Sequence, residues 1–290
     1  MSAAVASRSR WLKRFHRAQD APARLVCFPH AGGAAGFYFP LSRALSPTVE
    51  TLAVQYPGRQ DRRAEPGLGD IEELTDGIAE ALVPLLDSRP LALFGHSMGA
   101  VLAYETARRL EHEVGSPPAV LFTSGRRAPC RRRVENMHQR EDQVLVEELR
   151  ELGGTDPELL DDLGIMRLLL PAIRRDYQAI ETYRHRAGQE LSCPVTVLTG
   201  DRDPRTTIDE ASDWKHHTTG ACTLEVFPGG HFFLSEHMTD VAGLVTARLL
   251  PSRRQSRPRT VPHPPNDPQM PVSRRPRDVR SHERRKRNQR

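Results

Sequence analysis

Cysteine is scarce in this chain, long apolar runs are missing, and no cluster of metal-ligand spacing is visible. The 290 residues include only Cys27, Cys130, Cys193 and Cys222, scattered and without a Cys-x-x-Cys pair. That pattern excludes a disulfide framework and reads as free thiols, buried in or beside strands, in a reducing cytoplasm. No apolar run reaches the length of a membrane span, about 20 residues, so no membrane association is expected. Residues 1–17 carry arginines but lack the apolar block of a secretory signal. The expected location is the cytoplasm.

The net charge of +5 is unevenly placed. Residues 251–290 hold 13 Arg or Lys against three acids, a surplus of ten that leaves the rest of the chain at −5. This tail is rich in Pro, Arg, Ser and Gln and almost free of aliphatic residues. It cannot offset its own ordering entropy and reads as a disordered basic extension rather than a nucleic-acid-binding arm. The body has the length of one α/β domain with an insertion: an N-terminal extension over 1–20, the domain over 21–250, and the insertion at about 125–190.

Short apolar runs alternate with helical patterns through that body. Arg24–Pro29, Val49–Tyr56, Leu91–His96, Ala119–Thr123, Val195–Thr199 and Thr223–Phe227 read as strands. Asp70–Leu86 reads as an amphipathic helix opened by a capping box of Asp70 and Glu73. This alternation means a mostly parallel, doubly wound sheet. Between Ser124 and Cys193 it breaks, and only helices are expected: Asp142–Leu152, one started by Asp156-Pro157, and Ile165–Tyr183 interrupted at Pro171. Such an insertion lies over the C-terminal edge of the sheet, where these folds bind ligands, and reads as a lid.

The chemistry is announced at Gly95-His96-Ser97-Met98-Gly99. An apolar strand ends in Gly-x-Ser-x-Gly and continues into apolar residues at helical spacing, Ala100, Val101, Ala103, Tyr104, Ala107 and Leu110. That is a nucleophile elbow, a serine on a strained strand-to-helix turn. The turn leaves the Met98 backbone N–H at a helix N-terminus, free to bind developing negative charge. A serine hydroxyl needs an imidazole to take its proton, and the imidazole needs a carboxylate to hold its tautomer.

In such sheets the carboxylate and the imidazole follow the serine, on loops after later strands. Val195–Thr199 runs into Gly200-Asp201-Arg202-Asp203-Pro204, and Thr223–Phe227 runs into Pro228-Gly229-Gly230-His231. Asp203 is preferred to Asp201, because the loop needs a residue or two to swing a carboxylate round and Pro204 stiffens it. Asp201 is the alternative, with a turn-capping role as its ordinary use. The loop His30–Gly36 after the first strand supplies the second oxyanion donor, Ala31, with Gly32 as the other candidate. His30 orders that loop, His96 faces away from Ser97 in a packing or hydrogen-bonded role, and His216, His217 and His237 are expected in solvent.

Several stretches together resemble a family. Trp11–Phe15, Leu25–Gly33, Val54–Arg63, Phe94–Ala100, Ser124–Pro129 and Gly229–Leu234 are similar, in order, to the stand-alone type II thioesterases of polyketide and nonribosomal peptide assembly lines. The resemblance spans about Trp11 to Leu250 and leaves out the tail. It implies an α/β-hydrolase fold with a helical lid, and hydrolysis of acyl thioesters from the phosphopantetheine arm of acyl or peptidyl carrier proteins as an editing step. By matching position it implies Ser97 as nucleophile, Asp203 as carboxylate, His231 as base, and Met98 and Ala31 as oxyanion donors. The enzyme itself is expected to need no cofactor or metal, since phosphopantetheine belongs to the partner, and to act as a monomer. Arg126, Arg127, Arg131, Arg132 and Arg133 are candidate contacts to the carrier protein. A general carboxylesterase or an acyltransferase with the same triad, and a non-catalytic nucleic-acid binder acting through the tail, are the alternatives.

Overall fold

The computed structural model describes residues 10–250; residues 1–9 and the tail over 251–290 lie outside the described residues. Seven strands make one sheet: β1 (Leu12–Arg14), β2 (Arg24–Phe28), β3 (Glu50–Val54), β4 (Leu91–His96), β5 (Val120–Ser124), β6 (Val195–Gly200) and β7 (Cys222–Phe227). Their order is β1-β3-β2-β4-β5-β6-β7. All neighbours run parallel except β1, which lies antiparallel on β3 through Leu12↔Val54 and Arg14↔Leu52. Residues 12–14, expected as extension, are therefore an edge strand. Three residues are too few to show a period of two, and the strand is held partly by Gln55 N–H donating to the Trp11 carbonyl at 2.8 Å.

The helices are α1 (Phe39–Leu45), α2 (Ile71–Leu82), α3 (Met98–His112), α4 (Asp142–Leu152), α5 (Pro157–Asp161), α6 (Leu163–Thr182), α7 (Ile208–Ser212), α8 (Phe233–Glu236) and α9 (Met238–Leu249). Successive strand residues face opposite sides. Val26 and Phe28 pack with α2 and α3 residues such as Ile78 and Val101, whereas Leu25 and Cys27 pack with Leu41 of α1 and Val245 of α9. Strands buried on both faces explain the continuous apolar runs of the sequence.

Local signals set the helix ends. Asp70 caps α2 by accepting from the N–H groups of Glu72 (2.7 Å) and Glu73 (3.1 Å). The α-helix stops at Leu82 rather than Leu86, and Val83–Leu85 tighten into a 3-10 turn around Pro84. Helix α6, expected to break at Pro171, runs through it. Pro171 and Arg167 are both exposed, so the carbonyl that proline leaves without a helical donor lies on the outer side of the helix.

Helices α4, α5 and α6 form the insertion between β5 and β6. Leu145, Leu149, Leu160, Met166, Leu170, Ile173 and Tyr177 make a small core of its own, and Ala31 packs against it. The chain leaves β2 for β3 on one side and then returns to β4 on the other. That reversal opens a crevice at the C-terminal ends of β2 and β4. Phe28↔Gly95 pairing brings the two strand ends level, so the Pro29–Ala35 loop and the Ser97 turn meet there.

Candidate active site

Ser97 sits where β4 becomes α3 with φ 53° and ψ −116°. A non-glycine residue in that region stores about 1–3 kcal/mol of strain, and its N–H is secured by the Ser124 carbonyl at 2.8 Å. The flanking glycines are required by closeness. A Cβ on Gly95 would lie 2.0 Å from the Gly99 carbonyl oxygen, and one on Gly99 would lie 2.0 Å from that of Phe28. Met98 is the first residue of α3, so its N–H has no acceptor within the helix.

His231 and Asp203 come together from two loops. His231 Nδ1 lies 3.0 Å from both Asp203 oxygens, and the two side chains are 4% and 0% exposed. Asp203 Oδ1 also accepts from the Arg205 N–H at 2.8 Å, which fixes the carboxylate plane. Asp201 has the other role: its carboxylate accepts from the Gly229 N–H at 2.8 Å, and that bond holds its carboxyl below the usual range. One aspartate thus orients the imidazole, and the other shapes the loop that carries it.

Ser97, Met98, Ala31, His231 and Phe232 line one narrow cavity of about 60 Å³ at the sheet edge, roofed by Leu149 and Tyr177 of the insertion. Among the described residues, no hydrogen bond of 3.5 Å or less joins Ser97 to His231, although both face this cavity. With Nδ1 committed to Asp203, Nε2 is the ring nitrogen left to exchange a proton. The Gly32 N–H is taken by Asp176 at 2.7 Å. Ala31, whose N–H has no acceptor among the described residues, lines the cavity.

One histidine keeps its expected packed and hydrogen-bonded role beside the site, and another departs from expectation. His96 stands beside the site, its ring centroid 5.1 Å from that of His231, with Nδ1 3.0 Å from Ser124 Oγ. His217, expected in solvent, is buried against Tyr104 and Trp214 and accepts from the Cys130 N–H. His216 is exposed and His237 partly so. His30 packs edge-on against Phe37 and Phe232, at 4.7 Å from each.

Burial pushes His30 down to about 3 and His217 to about 4, with neighbouring positive charge adding to each; His96 is driven well below its ordinary value. All three are neutral in the fold at pH 7. The unfolded chain takes up these protons below about pH 6.5 and the folded one does not. Stability should therefore fall as pH drops from 6.5, by about 2 kcal/mol at pH 5 for His30, with His217 and His96 acting in the same direction. Urea unfolding midpoints at pH 7 and pH 5 check this; equal midpoints would contradict it.

The arginines after β5 are unequally engaged. Arg127 is buried and paired with Glu135, Arg131 is paired with Asp213, and Arg133 with Glu210 at 2.6 Å. Arg126 and Arg132 have no carboxylate partner among the described residues. Burial pulls Arg126 down to about 9, with Arg127 adding to the effect. Arg126 lines both the Ser97 cavity and a neighbouring one of about 260 Å³, which also borders Arg132 and Tyr183. Of the cysteines, Cys27 and Cys193 are buried as expected, whereas Cys222 is half-buried and Cys130 exposed. Cys130, Asp213 and His216 lie within 4.8 Å of one another at the surface, though Asp213 is occupied by Arg131. Among the described residues, no helix is long and apolar enough to cross a membrane.

A thioesterase-domain profile matches residues 23–249, nearly all of the described body. The chain belongs to the thioesterase family. This thioesterase is 51% identical over 245 residues to a probable cadicidin biosynthesis thioesterase of Streptomyces griseus, covering 84% of this chain and 67% of that one. It is 46% identical over 254 residues to thioesterase PikA5 of Streptomyces venezuelae, covering 88% and 90%. Among solved structures, the type II thioesterase BorB of the borrelidin biosynthetic cluster superposes with a TM-score of 0.78 at 48% identity, over 82% of this chain and 97% of that one. The fold is that of the α/β-hydrolases and the enzyme is a thioester hydrolase of the serine type.

Proposed function

We propose that this thioesterase removes acyl groups from the phosphopantetheine arm of carrier proteins in polyketide or nonribosomal peptide synthesis, as a stand-alone editing enzyme. The observation that carries the mechanism is His231, held by Asp203, lining one cavity with the strained Ser97. Ser97 Oγ attacks the thioester carbonyl carbon while His231 Nε2 takes its proton. The Met98 and Ala31 N–H groups hold the oxyanion, each worth roughly two to three orders of magnitude in rate. The C–S bond breaks, the His231 proton goes to the pantetheine sulfur, and an acyl-Ser97 ester remains. Water, deprotonated by His231, then attacks that ester, and the acid leaves as Ser97 regains its proton. These steps need no cofactor on the enzyme, because the phosphopantetheine arrives on the carrier.

Carrier docking falls to the arginines that lack internal partners. Arg132 is exposed and Arg126 stands between the two cavities, a path by which an arm could reach Ser97. Arg127 and Arg131, being ion-paired, hold the segment in place instead. The double variant R126A/R132A is expected to raise KM for an acyl-carrier thioester about 3- to 10-fold, with a weaker salt dependence than wild type. Steady-state kinetics beside an N-acetylcysteamine thioester of the same acyl group check this. An equal rise on both substrates would contradict docking. The relative rates on the carrier thioester and on a matching oxygen ester separate this reading from a general esterase.

A further inference from the structure

The Gln55–Arg59 segment, part of a motif prominent in the sequence, surrounds the Pro29–Ala35 loop. The Tyr56 hydroxyl donates to the Pro29 carbonyl at 3.0 Å, and the Ala35 N–H donates to Gln55 Oε1 at 3.0 Å. Both ends of the loop are thereby fixed from the sheet. Its middle is held from the insertion. The Gly33 N–H donates to the His30 carbonyl at 2.9 Å and Gly32 has φ +78°, the pattern of a type II turn with Ala31 and Gly32 at its centre.

Asp176 of helix α6 meets this turn. Its Oδ2 accepts the Gly32 N–H at 2.7 Å and also accepts from Arg59 Nη2. Ile173, one helical turn earlier on the same face of α6, packs on Gly32 so closely that a Cβ there would lie 3.2 Å from its Cγ1. Asp176 is 2% exposed and Arg59 is 6% exposed. Among the described residues, Arg59 Nε and Nη1 have no hydrogen-bond partner, so its guanidinium is buried with Asp176 as its polar contact.

A type I turn differs from type II by rotating the central peptide about half a turn. In that form a carbonyl oxygen would face the Asp176 carboxylate where an N–H now stands, and the two oxygens repel. Glycine at position 32 is compatible with either form. The choice between them falls to Asp176.

We propose that Asp176 is a positioning residue: through α6 it anchors the Gly32 N–H, and with it the place of the neighbouring Ala31 N–H beside the oxyanion. The oxyanion hole is then complete only when the insertion is seated on the loop. This rests on the reading of Ala31 as an oxyanion donor in the Ser97 mechanism.

The test compares D176A and D176N in the full chain, on an acyl-carrier thioester, with S97A alongside. Asparagine keeps an oxygen for the Gly32 N–H but loses the charge that pairs with Arg59; alanine loses both. Both variants should melt at lower temperature than wild type. D176A should lose about 10- to 100-fold in kcat with KM changed less than about threefold, while D176N stays within about threefold of wild-type kcat. Equal kcat losses in the two variants, or D176A with unchanged kcat, would overturn the proposal. If D176A does not fold, D176N decides alone: a tenfold or larger fall in kcat overturns it, and near-wild-type kcat with a lowered Tm supports it. S97A separates the two levels. Turnover surviving in S97A defeats the serine mechanism itself, whereas an inactive S97A beside a fully active D176A defeats only the positioning role.

Discussion

Replacing Ser97 by alanine is expected to lower hydrolysis of an acyl-carrier thioester by about 10⁵- to 10⁶-fold, the scale on which removing an activated nucleophile acts. The hydroxyl is the atom that forms the covalent bond, so nothing else in the cavity can stand in for it. The residual rate would come from the oxyanion donors acting on water. Folding should be preserved: Ser97 is only half-buried and its backbone is held by the Ser124 carbonyl. The strain of the φ 53° turn remains with alanine, so no large gain or loss of stability is expected from it. Mass spectrometry of the loaded carrier, followed over hours, measures the loss. A variant within 100-fold of wild type would mean that another group attacks the thioester.

Much of this arrangement is legible in the sequence because it depends on short-range geometry. The elbow is one strand, one turn and one helix within about twenty residues, and its glycines answer to contacts with Phe28 and Gly99 that the motif already implies. Asp203 and His231 follow strands whose apolar runs mark their ends. What the sequence does not display are relations across elements. His217 lies on a short 3-10 turn that reads as solvent-facing, and only the packing of Tyr104 and Trp214 buries it. Edge strand β1 has no periodicity to detect. The arginine run after β5 reads as a uniform basic patch until Glu135, Asp213 and Glu210, from distant segments, pair with three of its members. Asp176 carries no motif at all; its meaning arises when α6 crosses the Gly32 turn.

The two aspartates of the β6 loop offer the second large effect. Asp203→Asn is expected to lower kcat about 10⁴-fold, because an amide neither fixes the imidazole tautomer nor stabilises the imidazolium. By the conversion of 1.36 kcal/mol per factor of ten, that is about 5.4 kcal/mol of transition-state stabilisation. Asp201→Asn should stay within about fivefold of wild type in kcat, since its carboxylate meets the Gly229 N–H and Arg202 rather than the ring. Single-turnover kinetics on the loaded carrier compare them directly. A reversed order, with Asp201 the sensitive position, would assign the carboxylate to the wrong residue of the pair.

The most direct measurement is to quench the enzyme during turnover of an acyl-loaded carrier and map the acyl mass by peptide mass spectrometry. The adduct is expected on the peptide containing Ser97, to accumulate when deacylation is slowed, and to vanish in S97A. An acyl group found on a different residue, or acid released at the normal rate by S97A with no adduct formed, would contradict the account.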